Sequence, residues 1–197
     1  MSIDFAQSET KINLMRAFAG ESQARNRYTF AAGLARDKNL QVIEGIFLFT
    51  ANQEKEHGEI YYHLLKQVDG ENIPADGSYP VDLTTDIVQA LRSAQHNEYQ
   101  EWEHEYSQFA QIAREEGFPE IGKTFEDIAA IERIHGNRFG RYADMLENGS
   151  LFVSDVSVQW MCLNCGHIVE AAMAPALCPV CSHGQGYFIR FNVSPYQ

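Results

Sequence analysis

The chain of 197 residues lacks the features that direct a protein to a membrane, to nucleic acid or out of the cell. No stretch approaches about 18 uninterrupted apolar residues, and the N-terminus has neither a basic nor an apolar segment, so we expect no transmembrane helix and no signal peptide. Basic residues are few: 15 Lys and Arg stand against 27 Asp and Glu, a net charge of −12 that would repel a phosphate backbone. We therefore expect a cytoplasmic protein that binds neither nucleic acid nor membrane.

Cysteine is also scarce, with four residues that all follow position 160. In a chain for which we expect no export signal, tightly spaced cysteine pairs indicate a metal site before a disulfide. Cys162-x-x-Cys165 and Cys178-x-x-Cys181 are separated by 12 residues, a spacing that builds a tetrahedral thiolate site. Zinc and a single iron both accept four thiolates, so the spacing leaves both metals open.

Glycine and proline are rare in long stretches up to about residue 147, and this part of the chain has a helical period. The remaining residues form short runs containing Val, Phe and Tyr that Gly and Pro interrupt, which is typical of small β-structures. Between the two parts lies Glu147-Asn148-Gly149, a signal that ends a helix. We predict a helical domain over residues 1–149 and a small β-rich domain over residues 150–197.

The helical part contains four predicted helices joined by connections of unequal length. The first and last connections are short, whereas residues 69–80 form a long, turn-rich link. Two antiparallel hairpins joined by a crossover have the connectivity of ferritin-like four-helix bundles. An internal repeat at an offset of 78 pairs Tyr28 with Tyr106, Glu54 with Glu132 and His57 with His135. The predicted helices span about 8–36, 41–66, 84–116 and 119–147.

Two of these helices carry a Glu-x-x-His pair in the middle of an apolar seam. In the second helix the pair is Glu54 and His57, and in the fourth it is Glu132 and His135. Residues i and i+3 share one helical face, so both pairs are predicted to point into the bundle. The seams are Ile43, Phe47, Thr50, Tyr61 and Leu64 in the second helix, and Ile121, Phe125, Ile128, Phe139, Tyr142 and Leu146 in the fourth.

The other two helices add carboxylates on their predicted inner faces. Glu21 follows Leu14 and Phe18 on a line that continues to Arg25 and Tyr28. Glu98 and Glu101 follow Leu91 and Ala94 on a line that continues to Glu105. Each buried ion has a penalty of several kcal/mol, so five inward carboxylates need cationic partners, and Arg25 answers only one. Two metal ions satisfy the set, and ligation by oxygen with some imidazole favours iron or manganese.

With the segment FAGESQARNRY at residues 18–28 and the segment IAREEG at residues 112–117, these motifs carry a resemblance to the rubrerythrin family. The resemblance covers nearly the whole chain, and the two domains follow in the same order as in that family. It implies a ferritin-like bundle with a non-haem di-iron site, fused to a rubredoxin-like domain that holds one iron by Cys162, Cys165, Cys178 and Cys181. It also implies a peroxidase that reduces hydrogen peroxide to water in oxidative-stress defence.

Site residues follow from the resemblance by position. Tyr28 and Tyr106 match tyrosines that lie behind the carboxylates, and Glu101 is a hypothetical proton shuttle. Trp102 and His104 depart from the family pattern, in which tyrosine and an acid are expected. The implied iron ligands are Glu54 and Glu132 as bridges, Glu98 and His135 at one iron, and Glu21 at the other, where Glu101 and His57 exchange on oxidation and reduction.

The resemblance also implies partners. Electrons would pass from NAD(P)H through a separate reductase or a rubredoxin-type donor to the tetrathiolate iron and then to the di-iron site, in a head-to-tail dimer. One alternative is a ferritin-like protein that oxidises and stores iron, because ferritin-like bundles share the ligand pattern. A second alternative is a non-catalytic interaction module in which a structural zinc ion stabilises the C-terminal part.

Overall fold

The computed structural model describes residues 3–194, which form a helical bundle followed by a small sheet. A 3-10 turn at Phe5–Gln7 precedes the first helix. The bundle helices are α1 (Glu9–Asp37), α2 (Gln41–Leu64), α3 (Ile87–Gln100), α4 (Tyr106–Glu115) and α5 (Pro119–Glu147). The predicted fold class, mainly helical with a long crossover and a small β-rich domain, is confirmed.

Helices α3 and α4 form one rod, because a π-helical segment, Glu101–Glu105, continues the backbone between them. The sequence predicts a single helix over 84–116, and the structure differs by this wider turn. A π-turn accommodates one extra residue within a helix. The side chains on either side of the segment therefore follow different registers.

The helix ends have local causes in the sequence. The Ser8 hydroxyl accepts a hydrogen bond from the N–H of Lys11 at the start of α1, at 3.1 Å. The Asp86 carboxylate accepts from the N–H groups of Val88 and Gln89 at the start of α3. Pro119 occupies the first turn of α5, where its missing N–H costs nothing. These features stabilise the N-terminal ends of α1, α3 and α5.

The bundle core consists of two apolar clusters. One contains Tyr28, Phe47 and Phe139, with Phe47 and Phe139 ring centroids 5.2 Å apart. The other contains Tyr61 and Phe125, with ring centroids 5.1 Å apart. Both seams predicted for α2 and α5 are buried apart from their partly exposed terminal leucines. The Glu-x-x-His pairs lie between the clusters along the chain and are fully buried with them.

The C-terminal part is a three-stranded antiparallel sheet in the order β2-β1-β3. Its strands are β1 (Val153–Cys162), β2 (Ile168–Met173) and β3 (Phe188–Arg190). Trp160 and Phe188 are fully buried with Cys162 in a separate small core. The predicted boundary at 149/150 falls in the segment between α5 and β1; it stays a prediction, and its outer ends, 1–2 and 195–197, lie outside the described residues.

The sheet packs directly against the end of the bundle. Ile189 of β3 and Leu151 join the apolar cluster of Val42 and Tyr142. Gly186 lies so close to the α1–α2 turn that a Cβ on it would be 1.9 Å from the carbonyl oxygen of Asn39. The two parts therefore meet through a contact that excludes any side chain at position 186. Among the described helices, none has the length and apolar character needed to cross a membrane.

A carboxylate distant in sequence holds the start of α1. Glu116 accepts hydrogen bonds from the N–H of Glu9 at 2.9 Å and from the N–H and hydroxyl of Thr10 at 2.7 and 2.6 Å. Burial alone would raise the pKa of Glu116, but these donors lower it below its ordinary value. The negative charge also lies at the positive end of the helix dipole.

We predict that Glu116→Gln lowers the free energy of unfolding by about 1–2 kcal/mol at neutral pH, because a charged acceptor is lost. Because the folded-state pKa is lowered, this contribution is present at neutral pH and is lost as the pH falls through that pKa. The difference from the unchanged protein should therefore persist down to about pH 4 and narrow below it. Calorimetric or denaturant unfolding across this pH range measures it.

Glu115→Gln is the matched control, since Glu115 is an exposed neighbour whose carboxylate accepts a hydrogen bond from Gln111. It should change stability by less than about 0.5 kcal/mol. If the Glu116→Gln protein were as stable as this control at neutral pH, the proposed stabilisation of the start of α1 by Glu116 would be contradicted.

Candidate metal centres

Four helices contribute to a buried cluster of carboxylates and imidazoles. Glu54 and His57 come from α2, Glu132 and His135 from α5, Glu21 from α1 and Glu98 from α3. The ligand atoms form two groups, each with all atoms within 4.8 Å of one another. The groups are Glu21, Glu54, His57 and Glu132, and Glu54, Glu98, Glu132 and His135. Glu54 and Glu132 belong to both, as the predicted bridging positions require.

The two shared carboxylates each turn one oxygen toward each histidine. For Glu54, Oε2 lies 3.1 Å from Nδ1 of His57, and Oε1 lies 3.0 Å from Nδ1 of His135. For Glu132, Oε1 lies 2.9 Å from Nδ1 of His57, and Oε2 lies 2.8 Å from Nδ1 of His135. A carboxylate that divides its oxygens in this way is arranged to bridge two metal ions.

The donor atoms of this cluster fit a pair of cations. Within residues 3–194, eight of its buried atoms have no hydrogen-bond partner, although they lie close together. Buried polar atoms without partners are costly and rare, so their convergence needs an explanation. Two divalent cations would balance the charge of four carboxylates. The atoms are both oxygens of Glu54 and Glu132, one oxygen each of Glu21 and Glu98, and Nδ1 of His57 and His135.

The electrostatics of the protein alone show the same need for cations. Burial, with the charges of Glu132 and Glu54, raises the pKa of Glu21 well above its ordinary value. Burial and the charge of Glu54 raise the pKa of Glu98 in the same way. Burial alone would raise the pKa of Glu132, but the imidazoles of His135 and His57 beside it lower it to about 2. Protons would therefore occupy part of the cluster wherever cations do not.

Two buried tyrosines hold the outer carboxylates. Tyr106 on α4 donates a hydrogen bond from its hydroxyl to Oε1 of Glu21, at 2.6 Å. Tyr28 on α1 donates to Oε1 of Glu98 in the same way. Each tyrosine thus fixes a carboxylate of the other hairpin and leaves the second oxygen, Oε2, facing the cluster. The predicted position of both tyrosines behind the carboxylates agrees with this geometry.

Glu101 lies apart from both four-residue groups. It is the first residue of the π-segment and is partly exposed, whereas His57 is inside the cluster. Burial and the charges of Glu98 and Glu132 raise the pKa of Glu101 well above its ordinary value. Its role as an exchanging ligand stays a prediction. The arrangement with His57 in the cluster and Glu101 outside it is one of the two that the exchange requires.

One predicted inward side chain points elsewhere, and two departures from the family pattern lie outside the cluster. Arg25 is exposed, so its predicted inward placement is wrong, because the buried stripe of α1 runs through Ala24. Glu105, at the end of the π-segment, is exposed as well. Trp102 packs against Arg133, whose guanidinium carbon lies 5.3 Å from its ring centroid. His104 is exposed, with 66 % of its side chain accessible.

Sequence reasoning missed the groups that orient His135. Gln53 Oε1 lies 3.1 Å from Nε2 of His135 and also accepts a hydrogen bond from Arg138 at 2.9 Å. Because this amide oxygen can only accept, Nε2 must carry the proton, which leaves the Nδ1 lone pair directed at the cluster. The signal in the sequence is that Gln53 directly precedes Glu54 on α2, so its side chain lies beside the face of α2 that meets α5.

The four cysteines converge at one end of the sheet. All are free thiols whose sulfurs lie within 4.8 Å of one another. Cys162 and Cys181, and Cys165 and Cys178, are 3.7 Å apart at their sulfurs, far beyond the length of a disulfide bond. The sulfur of Cys181 accepts from the N–H of His183, which lowers its pKa to about 6. The cluster is therefore a tetrathiolate metal site.

Left-handed turns present the backbone N–H groups to these sulfurs. Gly166, which follows the first cysteine pair, has a φ of 74°, and Ser182, which follows the second, has a φ of 59°. The N–H groups of Asn164 and Cys165 point to the sulfur of Cys162. Such hydrogen bonds tune the potential of a tetrathiolate iron.

Comparisons with known proteins match both parts of the chain. The family model described as rubrerythrin matches residues 13–143, and the model of the rubrerythrin rubredoxin-like domain matches residues 160–189. Rubrerythrin of Clostridium perfringens is 45% identical over 94% of this chain and 95% of its own length. Rubrerythrin of Porphyromonas gingivalis is 40% identical over 92% of this chain and 89% of its own length.

Solved structures agree with this result. The fully reduced, all-ferrous state of nigerythrin is 26% identical and covers 94% of this chain and 91% of its own, with a TM-score of 0.63. A bacterioferritin from Desulfovibrio desulfuricans, 21% identical with a TM-score of 0.63, covers 72% of this chain and 82% of its own. At that identity the likeness shows the fold alone, which is the predicted ferritin-like bundle.

We predict that Gln53→Leu weakens retention of iron at the bundle by 10- to 100-fold, because the group that orients His135 is lost. Competition with a ferrous chelator, followed by iron analysis, measures this loss. Asn52→Leu is the control, since Asn52 is an exposed neighbour on the same helix. Equal iron retention in the two variants, with helicity unchanged, would show that Gln53 does not support the site.

Proposed function

The chain belongs to the rubrerythrin family, and we propose that it is a non-haem di-iron peroxidase that reduces hydrogen peroxide to water. Family membership makes it an iron-dependent oxidoreductase of the oxidative-stress response. The predicted cofactors, two non-haem irons in the bundle and one iron in a tetrathiolate site, are confirmed by the two matched family domains and the two ligand clusters. The division of the Glu54 and Glu132 oxygens between two histidines carries the proposal.

The ligand assignment follows from the two groups. Glu54 and Glu132 would bridge the irons, Glu98 and His135 would bind one, and Glu21 and His57 the other, with Glu101 as the alternative to His57. The distances of 2.8–3.1 Å between Nδ1 atoms and bridging oxygens support this set. Gln53 holds His135 in place through its Nε2. This difference between the histidines supports an exchange in which His135 stays a ligand and His57 is the one replaced.

The reaction consumes two electrons and two protons for each peroxide and yields two waters. When bound, the irons supply the two electrons and act as Lewis acids toward the peroxide oxygens. Burial and the neighbouring carboxylates raise the pKa of Glu101, which favours the protonated form of this carboxyl group at the edge of the cluster. Tyr28 and Tyr106 hold Glu98 and Glu21 in place, and the apolar clusters on either side exclude water. Glu101 is therefore the proposed proton donor.

The tetrathiolate domain would recharge the bundle by one electron at a time, which a closed-shell zinc ion cannot do. We propose that NAD(P)H supplies these electrons through a separate reductase or a rubredoxin-type donor. Cys165 is the exposed member of the site, so the donor would approach from its side. The head-to-tail dimer, in which the domain serves a neighbouring bundle, stays a prediction. Iron storage needs no attached electron carrier, and the presence of the domain favours the peroxidase.

We predict that protein purified without oxygen carries about three irons per chain and consumes hydrogen peroxide with an electron donor. Cys165→Ser should abolish steady-state turnover, because electrons no longer reach the bundle. A single turnover of the chemically reduced variant should remain. Protein with zinc in the tetrathiolate site is the control, since it keeps the fold and lacks only the one-electron couple. Full steady-state activity in either protein would contradict the relay, and a reduced bundle that does not react with peroxide would contradict the peroxidase.

We predict that Glu101→Gln lowers peroxide turnover by about 100-fold or more while the iron content stays the same, because the amide cannot deliver a proton. Rapid mixing of the reduced protein with peroxide measures the rate. Glu103→Gln, an exposed position of the same π-segment, should leave the rate unchanged. Equal rates for the two variants would remove Glu101 from the proton path.

A further inference from the structure

A groove leads along the outside of α1 to the edge of the di-iron cluster. One wall is α1 from Glu9 to Gln23, the other runs from Glu101 to Ile112, and residues 76–80 of the crossover form a roof. The groove is open to solvent along part of its length and has a volume of about 550 Å³. The inner end reaches Glu101 and Tyr106, whose hydroxyl donates to Glu21. The groove therefore connects the surface with the proposed proton donor.

The roof is attached to α1 through one arginine. Arg16 donates from its guanidinium to the carboxylate of Asp76 at 2.6 Å and to the carbonyl oxygen of Asp76 at 3.2 Å. Tyr79 donates from its hydroxyl to the carbonyl oxygen of Arg16, also at 3.2 Å. These contacts hold residues 76–80 across the groove instead of leaving them in solvent.

The ring of Tyr79 lies over the inner part of the groove. A Cβ on Gly20 would be 3.8 Å from Cε1 of this ring, so the ring packs on α1 one residue before Glu21. A Cβ on Gly77 would be 2.6 Å from the tyrosine hydroxyl, so the ring packs closely against its own segment. Tyr79 lines the groove and is 41% exposed, so it lies between the groove and solvent.

The lining of the groove indicates the kind of molecule that it admits. Glu9, Asp76 and Glu105 line it together with Arg16, whose charge is already paired with Glu9 and Asp76, so the lining does not attract an anion. Asn13 also lines it and is 1% exposed, and its Nδ2 has no hydrogen-bond partner among the described residues. A buried N–H group without a partner is a donor available to a lone pair. A small, neutral molecule with oxygen lone pairs fits both features.

We propose that this groove is the entry route for hydrogen peroxide and that the ring of Tyr79 limits the size of the peroxide that reaches Glu101. The inference rests on the proposed function for the identity of the substrate. The route itself rests on the cavity, on the roof held by Arg16 and on the free donor of Asn13.

The first experiment compares peroxides of different size. Tyr79→Ala should raise kcat/KM for tert-butyl hydroperoxide at least tenfold and leave kcat/KM for hydrogen peroxide within about threefold, because only the larger molecule is excluded. Tyr79→Phe keeps the ring and loses only the hydrogen bond to Arg16, so it should retain the selectivity of the unchanged protein. Equal selectivity in the alanine and phenylalanine variants would overturn the role of the ring.

The second experiment blocks the groove and uses a neutral probe that needs no turnover. Gln108 is an exposed residue of the groove wall on α4, and Gln111 is an exposed residue of the same helix outside it. Gln108→Trp should slow the binding of nitric oxide to the reduced bundle at least tenfold in stopped-flow absorbance, and should lower kcat/KM for peroxide to the same extent. Gln111→Trp should change neither.

The two readouts separate failure of the route from failure of the proposed function. If Gln108→Trp slows nitric oxide while the unchanged protein does not reduce peroxide, the route stands and the peroxidase proposal fails. If the unchanged protein reduces peroxide and both tryptophan variants match it in both measurements, the peroxidase stands and the route is overturned.

Discussion

Four carboxylates buried in the middle of a helical bundle are the constraint on which the rest of this structure depends. Their mutual repulsion has to be cancelled in a region where water cannot do it, and an effective penalty of several kcal/mol for each ion is comparable with the whole stability of a domain. The apolar clusters along the helices and the tyrosines on Glu21 and Glu98 keep the carboxylates in place. The fold holds an electrostatically unfavourable arrangement that bound metal ions relieve and that protons relieve where metal ions are absent.

The internal sequence repeat explains both what the sequence predicts correctly and where the prediction fails. Tyr28 and Tyr106, and Glu54 and Glu132, match at an offset of 78, and the structure places each pair in corresponding positions. Glu21 and Glu98, however, match at 98 − 21 = 77. The extra residue lies between Glu98 and Tyr106, where the π-segment occurs. A shift of one residue between two halves of a repeat is thus a readable signal of a π-turn, and the prediction of one uninterrupted helix overlooked it.

The cluster itself could be predicted because its chemistry is local in sequence. A Glu-x-x-His pair on an apolar seam needs only helical geometry to be placed inward. Gln53, Arg138 and Asn13 could not be found in this way, because their roles depend on contacts between helices that periodicity does not specify. Arg25 illustrates the same limit: i+3 and i+4 steps leave two candidate stripes, and the packing of Ala24 decides between them.

The contact between Gly186 and the carbonyl oxygen of Asn39 has a consequence for modular design. The β-rich domain has a small apolar core of its own, which would make it a candidate for exchange between proteins of this architecture. Here the position of the domain depends on Gly186, which has no side chain and contacts the α1–α2 turn. Asn39 in that turn adopts a left-handed conformation. A transplanted domain would need glycine at this position to sit in the same orientation. The transferable unit is therefore the domain together with the α1–α2 turn that receives it.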